Sequence, residues 1–248
     1  EGLHGGAAVI INHPRGAGPL LAYFDAAGYD SDTGMADRPD LWDEAFRLVE
    51  VFNASDFDAN RDGVVTDWFS LLNYGREVYA VGSSDSHQVA SSPVGYPRTC
   101  VELGVDTPAE ARTLGAGSVR DAMLAGRHTI SGGVFVEATA RGDVGSGGVV
   151  MGAAEREVLH VRVRAPLWVE VDRLRVFVNG EQTHERMIGE DEIDPLIPTT
   201  RFDEDLELAL PMTESSWVIV VVSGPGDLSP VHPGRRPFGV TNPVFFQP

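Results

Sequence analysis

Short apolar runs that break abruptly into polar residues recur through the first half of the chain. Ala7-Ala8-Val9-Ile10-Ile11 stops at Asn12-His13-Pro14-Arg15. Leu48-Val49-Glu50-Val51-Phe52 stops at Asn53-Ala54-Ser55, and Tyr79-Ala80-Val81 stops at Gly82-Ser83-Ser84-Asp85-Ser86-His87. Runs this short and rich in β-favouring residues predict buried strands. Between them lie helical signals. Leu41, Trp42, Ala45 and Phe46 have helical spacing behind Asp40 as N-cap, which predicts a short helix over 40–46. A second helix is predicted over 67–73, capped by Thr66 or Asp62 and closed by Gly75. Residues 16–39 are rich in Gly, Asp and Ala. Around Leu20-Leu21-Ala22-Tyr23-Phe24 they predict a short helix or ordered loop over the mouth left by His13. After a strand at 99–103, Thr107-Pro108-Ala109-Glu110 opens a helix with Pro at its first position, and an amphipathic helix over 118–126 ends on Gly126.

From Arg127 onward the period changes to two. Val161-Arg162-Val163-Arg164, Leu174-Arg175-Val176-Phe177-Val178, Leu206-Glu207-Leu208-Ala209-Leu210 and the run 218–222 read as strands, and Asn179-Gly180 is a hairpin turn requiring positive φ. Strands at regular spacing between Gly and Pro turns indicate a β-sandwich. The division expected is an α/β unit over 1–130 and a β-sandwich over 131–248.

In an α/β chain the loops leaving the carboxyl ends of strands are where chemistry usually sits. Asp85-Ser86-His87 offers one hard carboxylate oxygen and one imidazole nitrogen, a pair suited to zinc, manganese or iron. The alternative is an Asp turn carrying a solvent-facing His. Asp58-Ala59-Asn60-Arg61-Asp62-Gly63 matches the opening of a calcium loop, with Asp58, Asn60 and Asp62 as oxygen donors. The twelfth position is Phe69, where a bidentate Glu is wanted, so a polar turn ahead of the next helix is the competing reading. Arg98 would orient an anionic substrate group, or else form a surface ion pair. Cys100 sits in a strand and reads as a core thiol. His128 either reaches the mouth or serves as a cap or surface residue, while His160, His184 and His232 are expected at the surface. No Gly-x-Ser-x-Gly elbow marks a serine nucleophile, and the Gly-rich stretch 142–148 lacks the Gly-Lys-Ser/Thr and helix of a phosphate loop.

Taken in order, Ile-Asn-His-Pro-Arg at 11–15, Val-Glu-Val-Phe-Asn at 49–53, Asp67-Trp68-Phe69-Ser70-Leu71-Leu72-Asn73 and Gly82-Ser83-Ser84-Asp85-Ser86-His87 resemble the PHP superfamily (polymerase and histidinol phosphatase). Within it the chain is most similar to the branch that includes carbaryl hydrolase. The resemblance continues through Ala125-Gly126-Arg127, Val178-Asn179-Gly180 and Thr241-Asn242-Pro243-Val244-Phe245. It implies a distorted (β/α) barrel that binds two or three divalent metals (Zn, Mn or Fe) and hydrolyses esters. By position it implies His13, Asp85 and His87 as metal ligands. Glu50 and Asn53 match a site-lining strand and, with Arg98, are expected to assist catalysis by orienting ligands and substrate. The family's opening His-x-His and its bridging carboxylates have no counterpart here, since His4 stands in no such motif. The length agrees: about 125 residues of α/β chain fall short of the roughly 200 that a closed barrel takes. A part-barrel leaves an unpaired sheet edge, so a preceding segment or a second chain is expected to complete it.

The balance of 19 basic against 37 acidic residues, a net charge of −18, argues against nucleic acid and against an anionic membrane as partners. No apolar run approaches the 18 or so residues of a membrane span. With one cysteine there is no internal disulfide. A soluble bacterial-type protein is expected, secreted or periplasmic ahead of cytoplasmic. The fold expected is a partial PHP-type barrel followed by a β-sandwich. The function expected is metal-dependent hydrolysis of a phosphate ester, carboxyl ester or carbamate on a small-molecule substrate. The alternative is a non-catalytic binding or scaffold module, calcium-braced at Asp58, Asn60 and Asp62.

Overall fold

Because their apolar runs are too short for helices and flanked by polar breaks, the three segments singled out above pair as strands. A computed structural model describes residues 7–16, 22–89, 92, 94–189, 193–211 and 215–248. Its first half contains β1 (Ile10–Ile11), α1 (Tyr23–Ala27), the small hairpin β2 (Tyr29–Asp30) and β3 (Met35–Ala36), then β4 (Leu48–Asn53), α2 (Val64–Asn73) and β5 (Tyr79–Ser83). The strands β1, β4 and β5 form a parallel sheet in that order, with Ile10 beside Leu48 and Leu48 beside Tyr79. Parallel pairing puts all three carboxyl ends at one rim. The crossover α2 starts three residues earlier than the pattern predicts, with Gly63 as its cap. It buries Trp68, Phe69, Leu71 and Leu72, and the Trp68 indole N–H donates to the Val78 carbonyl at 2.9 Å.

The second half is almost entirely strand. β6 (Arg98–Val101) is followed by α3 (Pro108–Ala111), α4 (Ala116–Leu124) and β7 (His128–Gly132). Then come β8 (Phe135–Ala140), β9 (Val149–Met151), β10 (Arg156–Arg164), β11 (Arg173–Val178), β12 (Glu181–Met187), β13 (Thr200–Ala209), β14 (Ser216–Ser223), β15 (Phe238–Thr241) and β16 (Val244–Gln247). A large sheet runs β12-β11-β14-β15-β7-β6, with β16 beside β14 and β9 beside β16; a smaller antiparallel sheet runs β13-β10-β8. Along β10 burial alternates strictly, with Leu159, Val161 and Val163 inward. By contrast, 218–222 in β14 is buried without a break. The reason is coverage on both faces. The β8 and β10 side chains share one core with β14, and on the α/β side Phe69 of α2 lies 4.9 Å from the Trp217 ring and 5.7 Å from Phe177. The whole is a mixed fold of mostly sheet with few helices. Among the described residues no helix is long and apolar enough to cross a membrane.

Two local readings change. Residues 40–46 form turns, not a helix. Asp43 Oδ1 accepts the Ala45 N–H, an Asx turn that competes with helical pairing, and the Trp42 ring stacks 5.0 Å from Tyr29. The expected boundary at residue 130 falls inside β7, which pairs back to β6 and forward to β15, so hydrogen bonding is continuous across it. The capping box at Thr107 and Glu110 and the positive φ of Asn179 (49°) and Gly180 (90°) match the sequence reading. His4, Leu20 and Leu21, and Ala90, Ser91 and Pro93 of the loop after His87, lie outside the described residues.

The outward edge of β5 meets side chains where another strand would be. Thr99 Oγ1 accepts the Gly82 N–H at 3.0 Å and donates to the Gly82 carbonyl at 2.9 Å. Asn242 pairs with both backbone groups of Ala80, and the His128 ring joins at the Ala80 carbonyl. Gly82 is required for this approach, because a Cβ there would stand 2.7 Å from Ile130. At the opposite side of the sheet, β1 has no outer strand partner among the described residues.

Candidate functional site

At each of the three carboxyl ends a residue other than glycine takes up positive φ: His13 (47°) after β1, Ala54 (46°) after β4 and Asp85 (45°) after β5. Left-handed backbone costs such residues about 1–2 kcal/mol each. Three such residues on one rim mark a place where local strain is held by the surrounding fold, the habit of functional sites.

Glu50 is the hub. It lies within β4 on the rim side, is only 4% exposed, and its carboxylate is satisfied from three segments. Oε2 accepts the His13 backbone N–H at 2.9 Å and the Asn53 amide at 3.2 Å, while Oε1 accepts the Ser83 hydroxyl. One carboxylate thereby ties the exits of β1, β4 and β5 together. The His13 ring is 56% exposed, with Nδ1 2.9 Å from the Asn53 amide nitrogen and 3.3 Å from Glu50 Oε2. These contacts belong to different tautomers. Accepting from Asn53 puts the ring proton on Nε2; donating from Nδ1 to Glu50 leaves an Nε2 lone pair for an ion or a proton.

Asp85 and His87 form the second pair at the rim, with His87 Nε2 3.0 Å from Asp85 Oδ1 and the His ring largely exposed. Backbone pairing connects the exits: the Ala54 N–H donates to the Ser83 carbonyl at 2.9 Å. Each pair is a carboxylate beside an imidazole, the combination in which the carboxylate orients a ring for a metal or proton. Among the described residues, no three His, Cys, Asp or Glu side chains gather closely enough to hold a metal ion.

What holds His13 in place was not legible beforehand. Two residues on, Arg15 clamps Asp67 of α2 with Nε and Nη2 at 2.8 Å each, reaches Asp25 at 3.0 Å and donates to the Tyr29 carbonyl at 2.7 Å. The two carboxylates raise the Arg15 pKa further above its ordinary range. The available signal was Asp67 standing within the apolar face of a helix.

Other expected residues are placed as follows. Arg98 begins β6 opposite Ser131 of β7; its side chain makes no hydrogen bond or ion pair among the described residues and acts electrostatically on His232. Asp58 and Asn60 lie on a short 3-10 turn (Asp58–Asn60), and Asp62 lies in the turn that follows. Asp58 pairs with the buried Arg175 at 2.7 Å, and the Asn60 amide donates to Ser55 and to the Asp56 carbonyl. Cys100 is half-buried, and burial raises its thiol pKa. Two histidines are corrections. His128 is 1% exposed, because β7 turns its ring onto β5; burial pushes its pKa down to about 4. His232 is 6% exposed, not at the surface, because the 228–232 turn folds it against Tyr96. His160 stays half-exposed, bridging Asp203 and Asp205 at 2.9 Å each.

No family model, curated protein or solved structure matches this chain.

Proposed function

We propose that this chain carries part of the site of a PHP-type, metal-dependent hydrolase. The β1-β4-β5 sheet is read as a portion of its barrel and the strand-rich half as a β-sandwich. The observation that carries this reading is the strained rim: His13, Ala54 and Asp85 at positive φ around a buried carboxylate that binds all three strand exits. His13 at one strand exit and the Asp85–His87 pair at another would each contribute ligands to divalent ions, and their donor types fit zinc, manganese or iron. The remaining ligands would come from outside the described residues. When bound, such an ion supplies Lewis acidity and an activated water.

The chain's own residues do the rest. Glu50 would accept a hydrogen bond from His13 Nδ1–H, which fixes the ring's tautomer and leaves the Nε2 lone pair free. In that tautomer Asn53 holds the Glu50 carboxylate, and Ser83 keeps Glu50 from swinging into the mouth. The substrate is a small phosphate ester, carboxyl ester or carbamate. The outer edge of β1, which has no strand partner among the described residues, is where a further strand, from a preceding segment or a second chain, would extend the sheet.

The second reading is a non-catalytic binding or scaffold module. It is favoured by the absence, among the described residues, of any three metal-ligating side chains at one point. Metal content per chain separates the two, measured by plasma mass spectrometry after purification without chelator. Near-stoichiometric transition metal that disappears in His13→Ala and in Asp85→Ala supports the hydrolase. Absence of metal from the wild type, together with no manganese-dependent turnover of p-nitrophenyl phosphate, would sink it.

A further inference from the structure

Beside the rim lies a cavity of about 560 Å³ that joins the two halves of the chain. Ala54 and Ser84, next to Asn53 and Asp85, form one wall; Tyr96, His232 and Arg235 form the other, with Val89 and Val231 among the outer lining. The cavity therefore shares a wall with the proposed catalytic mouth.

Its chemistry runs against the rest of the molecule. All 19 basic residues are arginines in a chain of net charge −18, and most strand arginines are matched to carboxylates, as in Arg141–Glu157, Arg162–Asp203 and Arg173–Glu185. Arg235 is not. Its guanidinium lies 5.5 Å over the Tyr96 ring and donates to the Ala54 carbonyl, and among the described residues it has no carboxylate partner. Arg98, also without one, contributes positive potential at His232. The His232 ring is packed 5.7 Å from Tyr96, yet neither ring nitrogen has a hydrogen-bond partner among the described residues. Its ring nitrogens are not sealed from solvent, so a ligand in the cavity can reach them. Burial first, then Arg98 and Arg235, lowers its pKa, so at neutral pH it presents one N–H donor and one acceptor. Asp56, which acts electrostatically on Tyr96, uses its Oδ1 on the Ala59 N–H.

The turn carrying these groups is preformed. Asp227 accepts the Ser229 and Gly234 N–H groups at 2.6 Å each, and the Arg235 N–H donates to the His232 carbonyl at 3.1 Å. Arginine and imidazole donors lining one cavity with apolar side chains describe a receptor for an amphipathic anion. Val89 and Val231, both exposed, line it as well.

We infer that this cavity binds a small organic anion, carboxylate or phosphate, with its charge against Arg235 and His232 and its apolar body against Tyr96, Val89 and Val231. As the pocket for an anionic arm of the substrate, the inference rests on the hydrolase reading; as an anion site it stands without it.

The full chain is titrated calorimetrically with benzoate, phenyl phosphate and neutral benzyl alcohol, with chelator present so that no metal contributes. Saturable binding of at least one anion, with benzyl alcohol silent, is the expected result, and the stronger of the two anions identifies the group. Arg235→Gln, at an exposed position, should weaken that binding at least fivefold, while Arg156→Gln on β10 leaves it unchanged. Binding of benzyl alcohol as tight as the anions, unchanged affinity in Arg235→Gln, or no binding at all overturns the site. The substrate role has its own readout with manganese. Arg235→Gln should raise KM for mono-p-nitrophenyl glutarate and leave p-nitrophenyl acetate untouched; equal effects on both overturn that role. Failure of the wild type to turn over either ester counts against the hydrolase reading alone and leaves the calorimetric result standing.

Discussion

Asn242 stands in for a β-strand against Ala80. Its Oδ1 accepts the Ala80 N–H at 2.7 Å, and its Nδ2 donates to the Ala80 carbonyl at 3.1 Å and to the His128 carbonyl at 3.0 Å. Asn242 is fully buried and 162 residues from Ala80, so one amide closes the edge of the parallel sheet and joins it to the large sheet. Asn242→Ala leaves at least the Ala80 N–H and the His128 carbonyl without that partner. At about 1–3 kcal/mol for each stranded group, a loss of about 3 kcal/mol is expected. Urea unfolding of the purified variant checks it; a change under 1 kcal/mol would mean the edge is satisfied otherwise.

His128 gives the fold a pH dependence. Its Nε2 donates to the Ala80 carbonyl at 2.9 Å and its buried Nδ1 has no partner, so a second proton would be an unpaired charge in the core. With its folded pKa at about 4 against an ordinary 6.5, the unfolded chain binds the extra proton first. Stability conferred by the neutral ring is therefore complete above about pH 6.5 and declines as pH falls from there to about 4. The ceiling is about 3 kcal/mol. Subtracting the pH–stability curve of His128→Gln from that of the wild type should isolate a step in this window; parallel curves would contradict the assignment.

Arg15 and Asp67 should be coupled. Fully buried pairs cost about 3–5 kcal/mol when one partner is lost, but Arg15 keeps part of its surface in water, so about 2 kcal/mol is expected for Arg15→Ala. A double-mutant cycle with Asp67→Asn should return a coupling above 1 kcal/mol. Additive single effects would show that the clamp contributes little.

Relief of rim strain is measurable at Ala54, whose side chain has no part in the proposed chemistry. Ala54→Gly removes a left-handed penalty of about 1–2 kcal/mol and restores part of it as unfolded-state entropy, for a net gain near 0.5 kcal/mol. Thermal unfolding reads this as a small upward shift. A downward shift would mean that the conformation is not strained.

Glu50→Gln keeps the shape of the hub and removes its charge. If Glu50 orients His13 toward an ion, metal affinity should fall about 10–100-fold in competition with a chelating dye, with circular dichroism unchanged. Wild-type affinity in the variant would remove Glu50 from the site.

By itself the sequence determined the local features whose causes are local. The apolar runs ending at Asn12, Asn53 and Gly82, the Thr107 cap, the Asn179-Gly180 turn and the alternation along β10 follow from propensity and period within a few residues. Once the three strands pair in parallel, as the structure has them, His13, Glu50, Asn53, Asp85 and His87 come to one rim. Tertiary structure decided what depends on partners far along the chain. The helical spacing at 40–46 lost to an Asx turn and to Trp42 stacking on Tyr29. The charge state of His128 follows from burial beneath β5, the burial of His232 from the 228–232 turn, and the closure of the β5 edge from Thr99 and Asn242. Hydrophobic period encodes which way a side chain faces; which distant group it meets is encoded only by the packing of whole sheets.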